Sequence, residues 1–215
     1  MKYRLVIFDM DGTVLDTLED IAACLNYALG ECGFPPRSIS EVRGFVGNGI
    51  RMLIERGASP YATQSNIDRL YELFKERYAT HSCDKTKPYD GIAEVITQLR
   101  ASGCMTAIVS NKADFAVQKL CKRYFDGLFD IAVGEREGIS RKPEPDSVNM
   151  VMAELSVSAA DCVYIGDSDV DIETAKNAGI DCVSVTWGFR ERDFLIASGA
   201  KMIAEKPSEL PAMLS

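Results

Sequence analysis

Tyr3-Arg4-Leu5-Val6-Ile7-Phe8-Asp9-Met10-Asp11-Gly12-Thr13-Val14-Leu15-Asp16 is the stretch that decides how this chain folds. Leu5–Phe8 is a continuous apolar run without alternation, the pattern of a strand buried on both faces of a parallel sheet. It breaks off at Asp9, and Asp11 follows two residues later. Gly12 opens backbone conformations closed to other residues, so the chain can turn sharply there. Two carboxylates thereby stand at the carboxyl end of an interior strand, where open α/β sheets bind their ligands. Asp and Gly are also ordinary loop formers. Asp-x-Asp-Gly alone therefore leaves loop and site equally open, and the decision falls to the residues that follow.

Outward from that stretch, Leu18, Ile21, Ala22, Leu25, Ala28 and Leu29 recur at helical spacing. Asp16 and Thr17 are candidate caps, and Gly33 with Pro35 and Pro36 is a stop signal. Further helical stretches run over about 49–56 and 65–80. No strand pattern appears between Asp16 and Asp90. The expectation is a helical cap domain of residues 17–87 inserted into a core domain of residues 1–16 and 88–215. Beyond the insertion, strand and helix alternate. A helix over 91–102 leads to a strand over 105–109, and Ser110-Asn111-Lys112 opens the next helix. A short strand over 131–133 and a loop through Arg141-Lys142-Pro143-Glu144-Pro145 lead to a helix reaching about Leu155. Strands over 162–165 and 181–185, a helix ending at Ala178 and a weaker strand near Met202-Ile203 complete the pattern. This predicts an α/β fold, a Rossmann-like three-layer sandwich with a mostly parallel sheet plus an inserted α-helical cap.

The composition suits such an architecture. The chain has 215 residues, 47% of them hydrophobic and 26% charged, with a net charge of −8. A surplus of acid argues against nucleic acid or an anionic membrane as the main partner. No apolar run approaches membrane-spanning length, and Asp9 interrupts the first one, so neither a span nor a signal peptide is expected. The seven cysteines are odd in number and form no Cys-x-x-Cys pair. They read as small hydrophobes in a reducing cytoplasm rather than as a disulfide or zinc framework. The expected partner is a small molecule, and the expected state a monomer or homodimer.

Three further groups stand at positions where chemistry can occur. Ser110, at the end of one strand, presents a hydroxyl beside the amides of a helix start, a natural phosphate contact and equally a natural N-cap. Lys142 sits in a loop confined by Pro143 and Pro145, able to neutralise a phosphate oxygen or to remain a solvated surface lysine. Gly166-Asp167-Ser168-Asp169-Val170-Asp171 again sets carboxylates just past a buried strand. Asp167 suits a hard cation such as Mg²⁺, and Asp171 falls one helical turn on, with Asp169 turned away between them. The alternative is an acidic helix start favoured by the helix dipole.

Taken in order, Asp9/Asp11, Ser110, Lys142 and Asp167/Asp171 resemble the four motifs of the haloacid dehalogenase superfamily, across almost the whole chain. The resemblance implies that Asp9 is a nucleophile forming an aspartyl-phosphate and that Asp11 is the acid/base. It requires a proton on Asp11 at first, which a crowded anionic site favours. It also implies phosphate contacts from Gly12, Ser110, Asn111 and Lys142. Mg²⁺ would be bound by Asp9, the Asp11 backbone carbonyl and Asp167, with Asp171 in support. Asp11 marks a phosphotransferase rather than a dehalogenase. The segment from Leu18 to Ala62 has no lysine for a phosphonate-type Schiff base, and the first cap helix lacks the His-x-x-Ala-Trp of phosphosugar mutases. Phe45-Val46-Gly47-Asn48-Gly49, Ser110-Asn111-Lys112 and Thr186-Trp187-Gly188 look like phosphoglycolate phosphatases. So does Pro88-Tyr89-Asp90-Gly91, although Asp90 stands where proline is frequent.

The implied function is Mg²⁺-dependent hydrolysis of a small phosphomonoester such as phosphoglycolate. A β-phosphoglucomutase-like mutase and a pyrophosphatase or nucleotidase of the same fold are the alternatives. A non-catalytic phospho-ligand binder would show a broken set of groups. In the cap, Asn48 and the flanking Arg43 and Arg51 are candidates for a substrate carboxylate, against a reading as surface arginines. Trp187 and Phe189 read as packing, and His81 receives no role.

Overall fold

The computed structural model describes residues 1–60 and 62–215. In chain order these residues form β1 (Leu5–Phe8), β2 (Leu15–Asp16), α1 (Leu18–Glu31), α2 (Ile39–Phe45), α3 (Gly49–Ala58), α4 (Gln64–His81) and β3 (Lys87–Pro88). There follow α5 (Ile92–Ala101), β4 (Met105–Ala113), α6 (Asp114–Tyr124), β5 (Ile131–Glu135), α7 (Asp146–Glu154) and β6 (Cys162–Gly166). The chain ends with α8 (Asp169–Ala178), β7 (Asp181–Val185), α9 (Arg192–Ala197), β8 (Met202–Ala204) and α10 (Leu210–Met213).

The main sheet has the order β5-β4-β1-β6-β7-β8, and all its pairings are parallel. β1 lies inside it, with Leu5 opposite Met105 on one side and Cys162 on the other. Its four side chains are fully buried, and burial of side chains this size is worth ~2 kcal/mol each. Leu5 and Ile7 face a core shared with Val148 and Val151 of α7 and Ala175 of α8. Phe8, pointing the other way, meets Phe129 edge-on at 6.1 Å. The expected parallel α/β sheet is present, and β1 is buried on both sides as its unbroken apolar run requires.

The chain divides into two compact units, residues 1–15 with 88–215 and residues 16–87. It leaves and re-enters the first unit through β2 and β3, which pair as a two-stranded ribbon. Two residues per strand are too few for a period-2 signal, so the ribbon was invisible in the sequence. The second unit is helical. α1 buries Leu18, Ile21, Ala22, Leu25, Ala28 and Leu29, and α4 buries Ile67, Leu70, Phe74 and Tyr78. Asp20, in the first turn of α1, is buried and accepts from the Lys85 amide (3.0 and 3.1 Å), the Thr86 amide (2.8 Å) and the Thr86 hydroxyl (2.7 Å). One carboxylate thus ties the start of the unit to its end.

Several boundaries differ from the sequence expectation. α2, α9 and α10 were not anticipated, being too short to establish a helical period; α2 is announced only by its Ser38–Glu41 capping box. The larger correction concerns 110–112. The strand does not stop at Val109, and Ser110-Asn111-Lys112 does not open a helix. β4 continues to Ala113, with an irregularity in its pairing between Val109 and Ala113, and α6 begins at Asp114. Ser110 is therefore not a helix cap. Polar residues at a strand's end read as a helix start, but the bulged extension keeps their backbones in the sheet. Among the described residues, no helix is long and apolar enough to cross a membrane.

Candidate active site

After β1 the backbone amide of Asp9 still donates to the sheet, to the Ile165 carbonyl at 2.9 Å. The next residues curl into a tight loop whose hub is the Met10 carbonyl, accepting from the amides of Thr13, Val14 and Leu15. Gly12 sits there at φ +86°, and a β-carbon would collide with the Asp167 carboxylate, so glycine is required by conformation and by space. Gly188 is needed for a similar reason: a β-carbon would strike the Gly12 carbonyl and the Asp167 side chain. The loop after β1 and the loop after β7 thus pack directly onto Asp167.

Lys142 is not a surface lysine. Its side chain is 3% exposed, and its ammonium contacts Asp171 Oδ1 at 2.7 Å, the Tyr164 hydroxyl at 2.9 Å and Asp9 Oδ1 at 3.0 Å. Its backbone is held as firmly. Asn111 accepts from the Lys142 amide at 2.8 Å and donates to the Lys142 carbonyl at 3.0 Å. Burial works against the ammonium, but the Asp171 and Asp9 carboxylates outweigh it and hold the group charged, well above the ordinary lysine range.

Asp9, Asp167 and Asp171 each bring a carboxylate oxygen within 4.8 Å of the others, all buried. Burial raises Asp9 most; Lys142 pulls it back, and Asp171 and Asp11 push it up again, so that it titrates at about 6 rather than 3.8. Asp167 is pushed well above the carboxylate range by burial and then by Asp171 and Asp9, with the Phe189 amide opposing. Asp171 has both oxygens engaged: Oδ1 by Lys142, Oδ2 by the Ser168 amide (3.0 Å) and hydroxyl (2.7 Å) in the capping box of α8. Asp167 accepts from the Phe189 amide at 2.6 Å, with the Thr13 hydroxyl at 3.5 Å from its other oxygen. Asp9 Oδ1 is buried with no partner in hydrogen-bond geometry, its contact with Lys142 being electrostatic only. Repelling carboxylates around an orphaned oxygen are what a hard divalent cation satisfies, so the residues fit Mg²⁺. Asp169 is exposed, with Arg190 at 3.8 Å.

Asp11 stands apart from that cluster. Lys112 donates to both its oxygens, at 2.8 and 3.0 Å, from a side chain only 4% exposed. The crowded anionic site expected around Asp11 also holds this buried ammonium, 2.8 Å from Asp11 Oδ1. Ser110 is buried, its hydroxyl accepting from the Lys112 amide at 3.3 Å. Trp187 does more than pack, since its indole donates to the Thr13 carbonyl at 3.0 Å. Lys112, Tyr164, Ser168 and the Phe189 amide were missed as site groups. Their only signal was position, each lying within four residues of a strand end or motif aspartate. The cap candidates lie in the second unit: Asn48 at the N-terminus of α3, Arg43 in the last turn of α2, and Arg51, whose guanidinium donates twice to Asp68 Oδ1 (3.0 and 2.8 Å). His81 contacts Asp84 at 2.7 Å near the surface. Burial pushes the Cys121, Cys162 and Cys182 thiols up to about 12, which leaves them chemically quiet.

Residues 6–185 match the haloacid dehalogenase-like hydrolase family. A phosphoglycolate phosphatase of Pseudomonas putida is 32% identical over 95% of this chain and 75% of its own. One from Vibrio parahaemolyticus is 31% identical over 96% and 94%. Among solved structures, a phosphoglycolate phosphatase candidate from Lactobacillus delbrueckii subsp. bulgaricus superposes with a TM-score of 0.94 at 38% identity, over 100% of this chain and 99% of the other.

Proposed function

The chain belongs to the haloacid dehalogenase-like hydrolases, and from that premise we propose that it hydrolyses a small phosphomonoester of the phosphoglycolate type through an aspartyl-phosphate. The observation that carries the reading is Asp9, at the end of β1, with the Lys142 ammonium 3.0 Å from its Oδ1 and Asp167 and Asp171 beside it. The similarity to phosphoglycolate phosphatases supports the substrate class.

Asp9 attacks phosphorus, an Oδ–P bond forms and the bond to the leaving oxygen breaks. Asp11 delivers a proton to that oxygen, then takes one from the water that opens the aspartyl-phosphate. The obstacle is the approach of one anion to another, and Lys142, held charged, offsets it from the protein side. Ser110 and the Gly12 loop bound the phosphate site, and Asn111 fixes the lysine's backbone. Asp9, Asp167 and the Asp11 backbone carbonyl would hold Mg²⁺, with Asp171 behind them; when bound, Mg²⁺ adds Lewis-acid polarisation and charge neutralisation at the phosphoryl oxygens. Asp171, hydrogen-bonded at both oxygens, orients Lys142 and Ser168 and supports the metal site. The helical unit corresponds to the inserted cap domain that the sequence predicts. Arg51 would have to release Asp68 to bind a substrate carboxylate there. Seven cysteines with no disulfide among the described residues support a cytoplasmic enzyme.

The test is turnover of 2-phosphoglycolate with Mg²⁺. Release of inorganic phosphate without a bisphosphate activator, abolished by Asp9→Asn in a folded protein, is expected. Interconversion of sugar 1- and 6-phosphates without phosphate release, or an active Asp9→Asn enzyme, would overturn it.

A further inference from the structure

Tyr164 lies in the middle of β6, opposite Ile7 of β1, and is fully buried. A phenol has one proton, and here the hydroxyl gives it to the Val109 carbonyl at 2.6 Å. With its proton committed, the oxygen can only accept from the Lys142 ammonium at 2.9 Å. Val109 is the middle residue of β4, and Asn111, two residues on in the same strand, grips the Lys142 backbone. Both ends of Lys142 are therefore anchored to one strand, β4, the backbone through Asn111 and the ammonium through Tyr164.

An ammonium has three protons. Asp171 takes one and Tyr164 another, and these two bonds set the ammonium 3.0 Å from Asp9 Oδ1, an ion-pair contact outside hydrogen-bond geometry. A phenylalanine in place of Tyr164 would keep the ring but leave a buried N–H without an acceptor. Lys142 would then turn further onto Asp171 or Asp9, and its charge would no longer be held where the phosphoryl group arrives.

We propose that Tyr164 is a positioning residue for the phosphoryl-transfer step, acting through Lys142 by holding one N–H so that the ammonium charge stays beside Asp9. The role rests on the reading of Lys142 as the phosphate-site cation. It assigns Tyr164 no contact with substrate.

The test is a double-mutant cycle on the Mg²⁺-loaded enzyme with p-nitrophenyl phosphate, using Tyr164→Phe, Lys142→Ala and the pair, with single-turnover conditions for the slow variants. Tyr164→Phe should lower kcat ~10-fold in the native background and less than twofold once Lys142 is alanine, because the group it positions has gone. A merely structural role would lower both backgrounds by the same factor, and that result overturns the proposal, as does an unimpaired Tyr164→Phe. An unimpaired Lys142→Ala enzyme overturns the functional reading of the lysine and the role of Tyr164 with it. Should Phe compromise folding, 3-fluorotyrosine at position 164 retains ring and hydroxyl but weakens the acceptor, and must show the same dependence on Lys142.

Discussion

At the residue scale, a buried ion pair joins two side chains 101 positions apart, Lys112 and Asp11. A buried lysine bound to both oxygens fixes the plane of the Asp11 carboxyl group. If Asp11 protonates the leaving oxygen, loosening that plane costs most where the leaving group needs a proton. A nitrophenolate departs largely without one, whereas an alkoxide does not. Lys112→Met should therefore lower turnover of an alkyl phosphomonoester ~10-fold more than that of p-nitrophenyl phosphate. Equal losses on the two substrates would mean that Lys112 has only a general structural role. The aspartates and Lys142 were legible in the sequence because each follows a strand-like run or stands just before the prolines of a confined loop. Lys112 was legible only as part of a motif string, since nothing local says which carboxylate its amine reaches.

At the scale of elements, the two polar closures are the Asn111–Lys142 clamp and the Asp20 clip. The clamp explains why β4 runs past Val109: Asn111 reaches the Lys142 backbone from a strand conformation that a helix start would not supply. In the helical unit, Asp20 satisfies the Lys85 and Thr86 amides and the Thr86 hydroxyl from one buried position. Replacing it by alanine strands those donors away from an acceptor. Asp20→Ala should cost ~2–3 kcal/mol in urea unfolding, with the secondary structure retained by circular dichroism. A loss below ~0.5 kcal/mol would show that water replaces the carboxylate and that the clip is not structural. The seven-residue α2 and the two-residue ribbon strands lacked the length to reveal themselves by periodicity, whereas α1 and α4, at 14 and 18 residues, did not.

At the scale of the whole molecule, an acidic chain with a net charge of −8 buries three carboxylates together. Asp9 titrates at about 6 in the fold against 3.8 for a free carboxylate. Between those values the native state binds more protons than the unfolded one, so this contribution to stability falls as pH rises from about 4 to about 6. Above that window, keeping Asp9 ionised costs up to ~3 kcal/mol. Metal-free protein should lose stability across that range in thermal melts, and Asp9→Asn should remove that component. Mg²⁺ at pH 7.5 should raise the melting temperature of the native protein, by the equivalent of ~2.7 kcal/mol at a hundredfold excess over Kd, and should not do so for Asp167→Asn. An unchanged melting temperature in saturating Mg²⁺ would argue that the cluster is not a cation site.

The sequence by itself determined the parallel α/β fold, the helical stretch after the first strand and the order of the candidate site residues. Those features are written in local patterns: an unbroken apolar run means a strand covered on both faces, and 3.6-residue spacing means a helix with one buried side. Tertiary structure alone decided the partners. Lys142 could have been solvated and Trp187 mere packing, and local spacing could not separate these. Packing β4, β1 and β6 side by side brought Tyr164 to Val109 and Lys142 to Asp9 and Asp171. In that dry interior each donor must find its acceptor or lose ~1–3 kcal/mol, and this requirement selects partners from anywhere in the chain.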